Sequence, residues 1–353
     1  MIKDEYNVIG VMSGTSLDGV DLIYTQLSLN KTWDFKIIHT QTINYTKSWF
    51  NILKGLVGLT PGELKKIDAD YTVYLASIIN TFISSNNIKK IDAICSHGHT
   101  ALHQPENYFT YQIGNLPILA TLLKQTVVCD FRVQDVALKG QGAPLVPIGD
   151  ALLFSKYDYC LNLGGFANIS YDENGLRKAY DICPVNIVLN LYAEKLGHPF
   201  DNKGMFAASG TSVPNLSKKL NALDFYNTSA PKSLGLEWVN RCVLPIIEAS
   251  NYSKIEDVLH TFTRHIALQI SKVVKAKSSI LITGGGAYNN YLIACVKEIK
   301  DLNVVIPSKD VLEFKEALIF AFLGVLKLRE ETNCLKSVTG ALKDHSSGKI
   351  YFN

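Results

Sequence analysis

The fold of this chain is decided by the stretch Val8-Ile9-Gly10-Val11-Met12-Ser13-Gly14-Thr15-Ser16-Leu17-Asp18-Gly19-Val20-Asp21. An apolar run precedes the Ser-Gly-Thr-Ser turn and a second alternating run, 20–27, follows it, which predicts a β-hairpin. Gly14 and Gly19 permit positive φ angles and close approach of a ligand, so the N–H groups and hydroxyls of the turn can surround an anion. Asp18 and Asp21 add carboxylates suited to hydrated Mg²⁺. On these residues alone, a plain glycine-rich turn without a ligand stays open as the alternative.

The composition is that of a globular protein. A length of 353 residues favours two lobes. With 47% hydrophobic and 19% charged residues, the composition does not indicate disorder. The net charge of +3 does not indicate a nucleic-acid partner. Seven cysteines without a Cys-x-x-Cys pair indicate reduced thiols and a cytoplasmic protein. We recognise neither a signal peptide nor an apolar run long enough for a membrane span, so no membrane partner is expected.

The first half of the chain continues the predicted sheet. A third β-rich run, 35–45, extends it, and Thr60-Pro61-Gly62-Glu63 predicts the start of a helix that reaches Ser84. A short buried strand, 91–96, is then expected to end in a polar loop, 97–103. Its three histidines, His97, His99 and His103, allow a zinc site, hydrogen bonding to a substrate or the loop, or simple packing.

The second half repeats this pattern. Residues 158–170 predict strand, Gly/Asn turn and strand, and a third strand ends at Asp181, so the architecture indicates an internal duplication. A later strand, 279–283, delivers Gly284-Gly285-Gly286. Three glycine loops fit a nucleotide cleft between two lobes, whereas no Walker A or Rossmann fingerprint is present. Asp181 alone is typical of a turn or N-cap aspartate, and Cys183 lacks an assignable base for a nucleophilic role.

The stretch 10–21 resembles the signature of the anhydro-N-acetylmuramic acid kinase family. Further motifs are similar to the family's, in the same order and over essentially the whole chain: His97-Gly98-His99-Thr100, Gln112-Ile113-Gly114, Asp130-Phe131-Arg132, 140–147, 162–168, 284–286, Glu316-Ala317-Leu318 and 337–341. The resemblance implies an α/β protein with the two-lobed actin-like ATPase (ribonuclease H-like) fold, a duplicated mixed sheet flanked by helices with a central nucleotide cleft. It places lobe I at 1–131, joined by 331–353, and lobe II at 132–330.

The resemblance also implies a function, an ATP-dependent sugar kinase (a transferase) of peptidoglycan recycling. Such an enzyme uses ATP and water to open the 1,6-anhydro ring of anhydro-N-acetylmuramic acid and phosphorylates O6, giving N-acetylmuramic acid 6-phosphate and ADP. Asp181 then corresponds to the catalytic residue, and a homodimer is implied. From its place in the turn, Asp18 is expected to hold Mg²⁺ through water or to lie beside the phosphates. The implied ATP-binding residues are Gly14, Thr15, Ser16, Leu17, Asp18, Gly19, Val20, Asp21, Gly164, Gly165, Asn168, Gly284, Gly285 and Gly286, and the implied substrate contacts are Arg132, Glu316, His99, Gln141 and Asn186.

The chain departs from the family pattern at three places. Ile182-Cys183-Pro184-Val185 stands where many members have Thr-Gly-Pro-Gly, Lys139 stands where glycine is usual, and Asn115 replaces a common aspartate. Valine does not readily adopt a positive φ, so the backbone after Asp181 is expected to follow a different path. Two further functions therefore stay open: a kinase of a different amino sugar with the same fold, and a catalytically silent ATP- and sugar-binding sensor.

Overall fold

The computed structural model describes residues 2–14 and 17–353. The chain forms two compact units, one of Met1–Leu153 with Phe314–Asn353 and one of Phe154–Glu313. The strands are β1 (Glu5–Ser13), β2 (Gly19–Asn30), β3 (Thr32–Asn44), β4 (Ala93–Gln104), β5 (Phe109–Ile113), β6 (Val127–Cys129), β7 (Tyr159–Leu163), β8 (Phe166–Glu173), β9 (Leu176–Pro184), β10 (Ser279–Thr283), β11 (Asn303–Val305) and β12 (Lys349–Tyr351).

Helices occupy most of the remaining chain. They are α1 (Lys47–Lys54), α2 (Pro61–Ser85), α3 (Ile118–Leu123), α4 (Val133–Ala137), α5 (Val146–Leu153), α6 (Asn186–Glu194), α7 (Met205–Ser209), α8 (Pro214–Asn221), α9 (Leu236–Trp238), α10 (Leu244–Glu248), α11 (Ile255–Val273), α12 (Asn290–Ile299), α13 (Lys309–Leu328) and α14 (Lys336–Thr339). A π-helical turn, Val239–Val243, joins α9 to α10. No helix within the described residues is both long and apolar enough to cross a membrane.

The two sheets share one topology. In the first unit the order is β12-β6-β4-β1-β2-β3, with β5 paired to β4, and in the second it is β11-β10-β7-β8-β9. Each sheet has an antiparallel meander, β1-β2-β3 or β7-β8-β9, whose first strand then pairs in parallel with a later strand, β4 or β10. The predicted duplicated mixed sheet flanked by helices is therefore confirmed, because strand order and direction repeat although the sequence does not.

Strand β1 is buried on both faces, which explains its nearly continuous apolar sequence. Ile9 and Val11 belong to the core that includes Tyr71 and its neighbours in α2. Gly10 lies so close to α13 that a Cβ atom there would stand 2.1 Å from the carbonyl oxygen of Ala317. The glycine thus lets a helix pack directly on the backbone of the central strand.

Helix α2 begins where the sequence predicts. Thr60 and Glu63 form both hydrogen bonds of a capping box, and Pro61 occupies the first helical position. Because these signals are local, they mark the helix start without knowledge of its packing.

The polar loop predicted at 97–103 is wrong, since β4 continues through these residues to Gln104. Strand β5 pairs with this extension in antiparallel fashion, with His99 opposite Ile113 and His103 opposite Thr110. The pairing supplies backbone partners that the local sequence does not reveal.

The division into units also differs from the lobe ranges expected from the resemblance. Residues 132–153 and 314–330, which were assigned to lobe II, lie in the first unit. Asp135 accepts a hydrogen bond from Thr339, and Gly149 packs tightly on Ile319, so these segments are held within that unit. Helix α13 kinks at Phe314, the residue at which the chain re-enters the first unit.

Candidate functional site

The tip of the first hairpin lies just beyond the pairs Met12–Asp21 and Ser13–Val20. Leu17 adopts a positive φ of 62°, and Gly19 has no room for a side chain because the carbonyl oxygen of Ile43 would lie 2.5 Å from a Cβ atom. Two of the predicted ATP contacts, Thr15 and Ser16, lie outside the described residues.

The predicted contacts around this tip differ in exposure. Asp18 is exposed, whereas Gly14 and Asp21 are half-buried, and Asp21 accepts a hydrogen bond of 2.6 Å from the hydroxyl of Thr42. The side chain of Val20 is fully buried in the core, and its backbone lies in β2 between Ser13 of β1 and Ile43 of β3. Among residue 14 and residues 17–21, the tip therefore presents a solvent-accessible carboxylate at Asp18.

Directly below the tip, Ser13 is the centre of a buried polar network. Its hydroxyl lies 2.8 Å from Nδ1 of His99 and 2.5 Å from the hydroxyl of Tyr45, and Tyr71 donates to it at 2.9 Å. Burial lowers the pKa of His99 to about 4, so the imidazole is neutral at pH 7. Sequence reasoning missed Tyr45 and Tyr71, because neither residue lies in a motif that points to Ser13.

Arg132 is held in place by two hydrogen bonds. Its Nε donates to Nε2 of His97 at 2.8 Å, and Nη1 donates to the carbonyl oxygen of Gly142 at 2.6 Å. Burial lowers the pKa of Arg132, and the nearby Glu316 carboxylate partly opposes this effect. Desolvation in turn raises the pKa of Glu316, while the Arg132 guanidinium lowers it. These two predicted sugar contacts therefore lie near each other in the first unit, with Arg132 half-buried and Glu316 exposed, so both side chains are accessible to a ligand.

The three histidines of β4 lie in separate hydrogen-bonded settings. His97 accepts from Arg132, so its Nδ1–H donates to the carbonyl oxygen of Gly98 at 2.8 Å. His99 lies in the Ser13 network, and His103 Nδ1 lies 3.0 Å from the hydroxyl of Thr110. These contacts correspond to the hydrogen-bonding alternative of the sequence analysis.

Gln141 belongs to the same unit, at the turn after α4. Its backbone N–H donates to the carbonyl oxygen of Thr339 at 2.8 Å, while its side chain is exposed. The neighbouring Gly142 is the residue whose carbonyl oxygen accepts from Arg132. The turn is therefore fixed through its backbone, and the side chain of Gln141 is left available to a ligand.

Asp181 is the principal polar side chain of the second unit. It lies within β9 and is half-buried, so the turn or N-cap interpretation does not hold; Val185 precedes α6 instead. Its Oδ2 accepts a hydrogen bond of 2.8 Å from the backbone N–H of Leu234. Among residues 2–14 and 17–353, its Oδ1 has no hydrogen-bond partner. One oxygen is thus anchored and the other is free to accept a proton.

The protonation of Asp181 is set mainly by its surroundings. Desolvation raises the pKa of its carboxyl group above 3.8, and the hydrogen bond from Leu234 opposes this rise. A β-bulge interrupts the β8–β9 register between Ala167 and Asn168, and the exposed Asn168 pairs with Asp181 directly. Bulges often redirect a side chain beside a functional site.

Cys183 lies two residues further along β9 and is completely buried in the core of this unit. Burial raises the pKa of its thiol far above neutrality, so the thiolate needed for nucleophilic chemistry does not form at pH 7. The alternative of a cysteine nucleophile is therefore rejected.

The glycine loops of the second unit meet at the carboxyl ends of β7 and β10. Gly284, with φ 81°, approaches Leu163 so closely that a Cβ atom would lie 2.8 Å from its carbonyl oxygen. Gly286 also contacts Leu163, and Asn186 donates to the Leu163 carbonyl at 3.3 Å. The carbonyl oxygens of Gly164 and Gly165 accept from the first N–H groups of α6. Hence the predicted residues Gly164, Gly165, Asn186, Gly284, Gly285 and Gly286 form one cluster.

Comparison with known proteins shows the family to which the chain belongs. The family model described as "Anhydro-N-acetylmuramic acid kinase" matches residues 6–353. The chain belongs to the anhydro-N-acetylmuramic acid kinase family. A relative of that name from Pseudomonas fluorescens is 34% identical, with 98% of this chain and 99% of the relative covered. Another, from Sulfurimonas denitrificans, is 32% identical over 97% of this chain and 98% of its own length.

A solved structure outside this family is also similar to the chain. It is an activator of 2-hydroxyisocaproyl-CoA dehydratase from Clostridium difficile with bound ADPNP, and it aligns over 92% of this chain and 96% of its own at 13% identity, with a TM-score of 0.45. That likeness is too distant to bear on function. Membership of the anhydro-N-acetylmuramic acid kinase family rests on the sequence comparisons, which span both units.

Proposed function

We propose that this protein is an ATP-dependent sugar kinase that acts on 1,6-anhydro-N-acetylmuramic acid. It opens the anhydro ring with water and transfers the γ-phosphoryl group of ATP to O6, which gives N-acetylmuramic acid 6-phosphate and ADP. The observation that carries the proposal is Asp181, a half-buried carboxylate with one oxygen anchored and one available, in a chain matched by the family over residues 6–353. The reaction belongs to the recycling of peptidoglycan.

Asp181 acts as the general base. Its Oδ1 accepts a proton from water while the water oxygen bonds to C1, as carboxylates do in inverting glycosidases. The C1–O6 bond breaks, O6 attacks the γ-phosphorus, and ADP leaves in line. The anchored Oδ2 restricts the rotation of the carboxyl group, so that the second oxygen is held in one orientation.

Arg132 binds the lactyl carboxylate of the sugar. Two of its five N–H groups are engaged by His97 and Gly142, so three are left for a carboxylate. His97 is neutral because it accepts from Arg132, and burial and the Arg132 charge keep its pKa well below the ordinary value. His97 therefore positions the guanidinium without competing for the substrate's charge. We assign Glu316, His99, Gln141 and Asn186 to further sugar contacts.

The glycine loops bind ATP. At the hairpin tip we assign this role to Gly14, Thr15, Ser16, Leu17, Asp18, Gly19, Val20 and Asp21. Gly164, Gly165, Asn168, Gly284, Gly285 and Gly286 are assigned to the nucleotide as well. An oxygen-rich donor set suits Mg²⁺, and the exposed carboxylate of Asp18 would hold a hydrated ion that offsets charge on the phosphates.

The assembly and cellular setting are part of the proposal. All seven cysteines are free thiols and six of them are buried, in keeping with a reducing compartment such as the cytoplasm. A homodimer is expected from the family resemblance. Light scattering of the purified protein would reveal whether the particle has the mass of one chain or two.

Isotope labelling tests the reaction. The protein is incubated with ATP, Mg²⁺ and anhydro-N-acetylmuramic acid in ¹⁸O-water, and the product is examined by mass spectrometry and NMR. We expect one labelled oxygen at C1 of a 6-phosphorylated sugar. Phosphorylated sugar without the label would refute ring opening by water and favour an ordinary kinase of another amino sugar, for which a substrate panel is the next step. Tight sugar binding with no ADP release would favour the silent sensor.

A further inference from the structure

A second polar cluster lies within the first unit, beside the Gly142 turn that holds Arg132 but made of residues not assigned above. Asp135 comes from α4, and Cys334 and His345 come from the C-terminal segment, where they pair across an antiparallel bridge. Asp135 is completely buried, Cys334 is 2% exposed and His345 is 6% exposed. A carboxylate, a thiol and an imidazole, all shielded from water, thus face one another.

The spacing of these groups is that of metal ligands. One ligand atom from each of Asp135, Cys334 and His345 lies within 4.8 Å of the other two. Nε2 of His345 and Oδ1 of Asp135 are 3.5 Å apart. A tetrahedral Zn²⁺ ion with bonds of about 2.0 to 2.3 Å places its ligand atoms roughly 3.3 to 3.8 Å apart, so only small side-chain movements are needed.

The tautomer of His345 is a second, independent indication of a bound metal ion. Its Nδ1 lies 3.1 Å from the backbone carbonyl oxygen of Lys343, so Nδ1 carries the hydrogen and Nε2 presents a lone pair. Nε2 is buried and has no hydrogen-bond partner among the residues that the structure describes. It points at a carboxylate oxygen, which is also an acceptor, so the pair needs a proton or a metal ion between them. Metal-binding histidines typically have this carbonyl contact on the other ring nitrogen.

The carboxylate of Asp135 is oriented in a similar way. Its Oδ1 accepts from the hydroxyl of Thr339 at 2.8 Å, and its Oδ2 accepts from the N–H of Gly142 at 2.7 Å. Such contacts fix a metal-binding carboxylate while leaving a lone pair on Oδ1.

A protonated His345 is the competing explanation. An Nε2–H group would then face Asp135, but 3.5 Å is long for a charge-assisted hydrogen bond, which is normally about 2.7 to 2.9 Å. A zinc ion can bond to all three side chains. The negative charges of one carboxylate and one thiolate neutralise its charge of +2.

We propose that Asp135, Cys334 and His345 bind a Zn²⁺ ion. The Cys334 thiol releases its proton to solvent as the sulfur–zinc bond forms, His345 binds through Nε2, and Asp135 binds through Oδ1. The ion links α4 to the C-terminal segment and thereby supports the turn at Gly142, whose carbonyl oxygen holds Arg132. Its role is structural, since the family reaction has no step that requires it.

The metal content of the full-length protein tests this site. Protein purified without chelator, or incubated with zinc sulfate and desalted, is expected to hold about one zinc ion per chain by plasma mass spectrometry. Substitution with cobalt should add the near-ultraviolet absorption of a cobalt–thiolate bond. Wild-type protein that remains substoichiometric in zinc under both conditions would overturn the proposal and leave a protonated His345 as the explanation.

Variants locate the ion. Cys334→Ser and His345→Gln are expected to lose most of the bound zinc, whereas Cys295→Ser, which alters a buried thiol in the other unit, retains it. Unchanged zinc in either of the first two variants contradicts the assignment. If those variants do not fold, the cobalt spectrum of the wild type decides, because bound cobalt without the thiolate absorption excludes Cys334 as a ligand.

Discussion

Replacement of Asp181 by asparagine is the sharpest test of the proposed chemistry. Asparagine retains an oxygen that accepts the 2.8 Å hydrogen bond from Leu234, so the side chain keeps its anchor and its volume. It cannot accept the proton of water. Loss of a general base typically slows a reaction by about 10² to 10⁴-fold. That factor corresponds to roughly 3 to 5 kcal/mol of transition-state stabilisation.

The pH dependence gives an independent readout. Desolvation raises the pKa of Asp181 above 3.8, and the base acts only when deprotonated, so kcat/KM of the wild type should fall as pH drops through that raised value. The Asp181→Asn variant should lack this acidic limb. The pKa of Asp181 is higher in the folded state than in the unfolded state, so this group stabilises the folded protein at pH values below its unfolded-state pKa. That stabilisation is lost as the pH rises through the folded-state pKa. The variant should therefore be no less stable than wild type at neutral pH.

The reaction rate is measured as ADP release in a coupled assay with saturating sugar. Nucleotide affinity is measured by calorimetry with an ATP analogue. Asp172→Asn is a matched control, because Asp172 lies in the adjacent strand β8 and pairs with Arg177. We expect full activity in that control and normal ATP affinity in both variants. Turnover of Asp181→Asn within a few-fold of wild type, or an acidic limb that persists in it, would refute the assignment of the base.

Three further substitutions probe the framework. Gly10→Ala would place a Cβ atom 2.1 Å from the Ala317 carbonyl oxygen, so it should lower the free energy of unfolding by about 1 to 3 kcal/mol. Urea denaturation measures this change, and an unchanged unfolding midpoint would contradict the close packing of α13 on Gly10. Arg132→Lys removes the hydrogen bond to His97 and should reduce kcat/KM for the sugar roughly 10- to 100-fold while ATP affinity stays unchanged. An equal loss of ATP affinity would argue against a sugar contact at Arg132. Thr60→Ala breaks the capping box and should cost about 1 kcal/mol of stability while kcat/KM stays the same.

Local signals made several elements predictable. The glycine and serine turn between two alternating runs predicted the first hairpin, and β1 and β2 pair as expected. Thr60 and Glu63 predicted the start of α2 because a capping box involves only residues three apart. The repeated meander predicted the second sheet for the same reason, since hairpins join neighbours in sequence.

Distant partners explain what the sequence could not reveal. The backbone N–H that anchors Asp181 belongs to Leu234, which lies 53 residues further along the chain. Ser13 meets Tyr71 across 58 residues, and nothing in either local pattern indicates the contact. The extension of β4 through 97–103 likewise depends on β5, which is formed by later residues.

The departures from the family pattern have structural explanations within the first unit. Lys139 adopts a positive φ of 67°, the conformation for which glycine is preferred, so a lysine is tolerated there at a cost in strain. The side-chain amide of Asn115 donates to the His97 carbonyl at 3.1 Å and to the Asp130 carboxylate at 3.2 Å. An aspartate at this position would place a carboxylate oxygen, which accepts hydrogen bonds, against the His97 carbonyl and the Asp130 carboxylate, which also accept. The amide of Asn115 donates to both and therefore fits this chain.

The departure after Asp181 bears most directly on function. Val185 has φ −129°, so the backbone avoids the positive φ that valine disfavours, and its N–H donates to the Gly165 carbonyl at 2.8 Å. Ile182, Cys183 and Val185 are all buried in the core of the second unit. The changed side chains therefore pack away from solvent, while the half-buried Asp181 carboxylate is oriented by a backbone group of Leu234. Because a backbone donor does not depend on these side chains, the hydrogen bond that orients the proposed base is compatible with the changed sequence beside it.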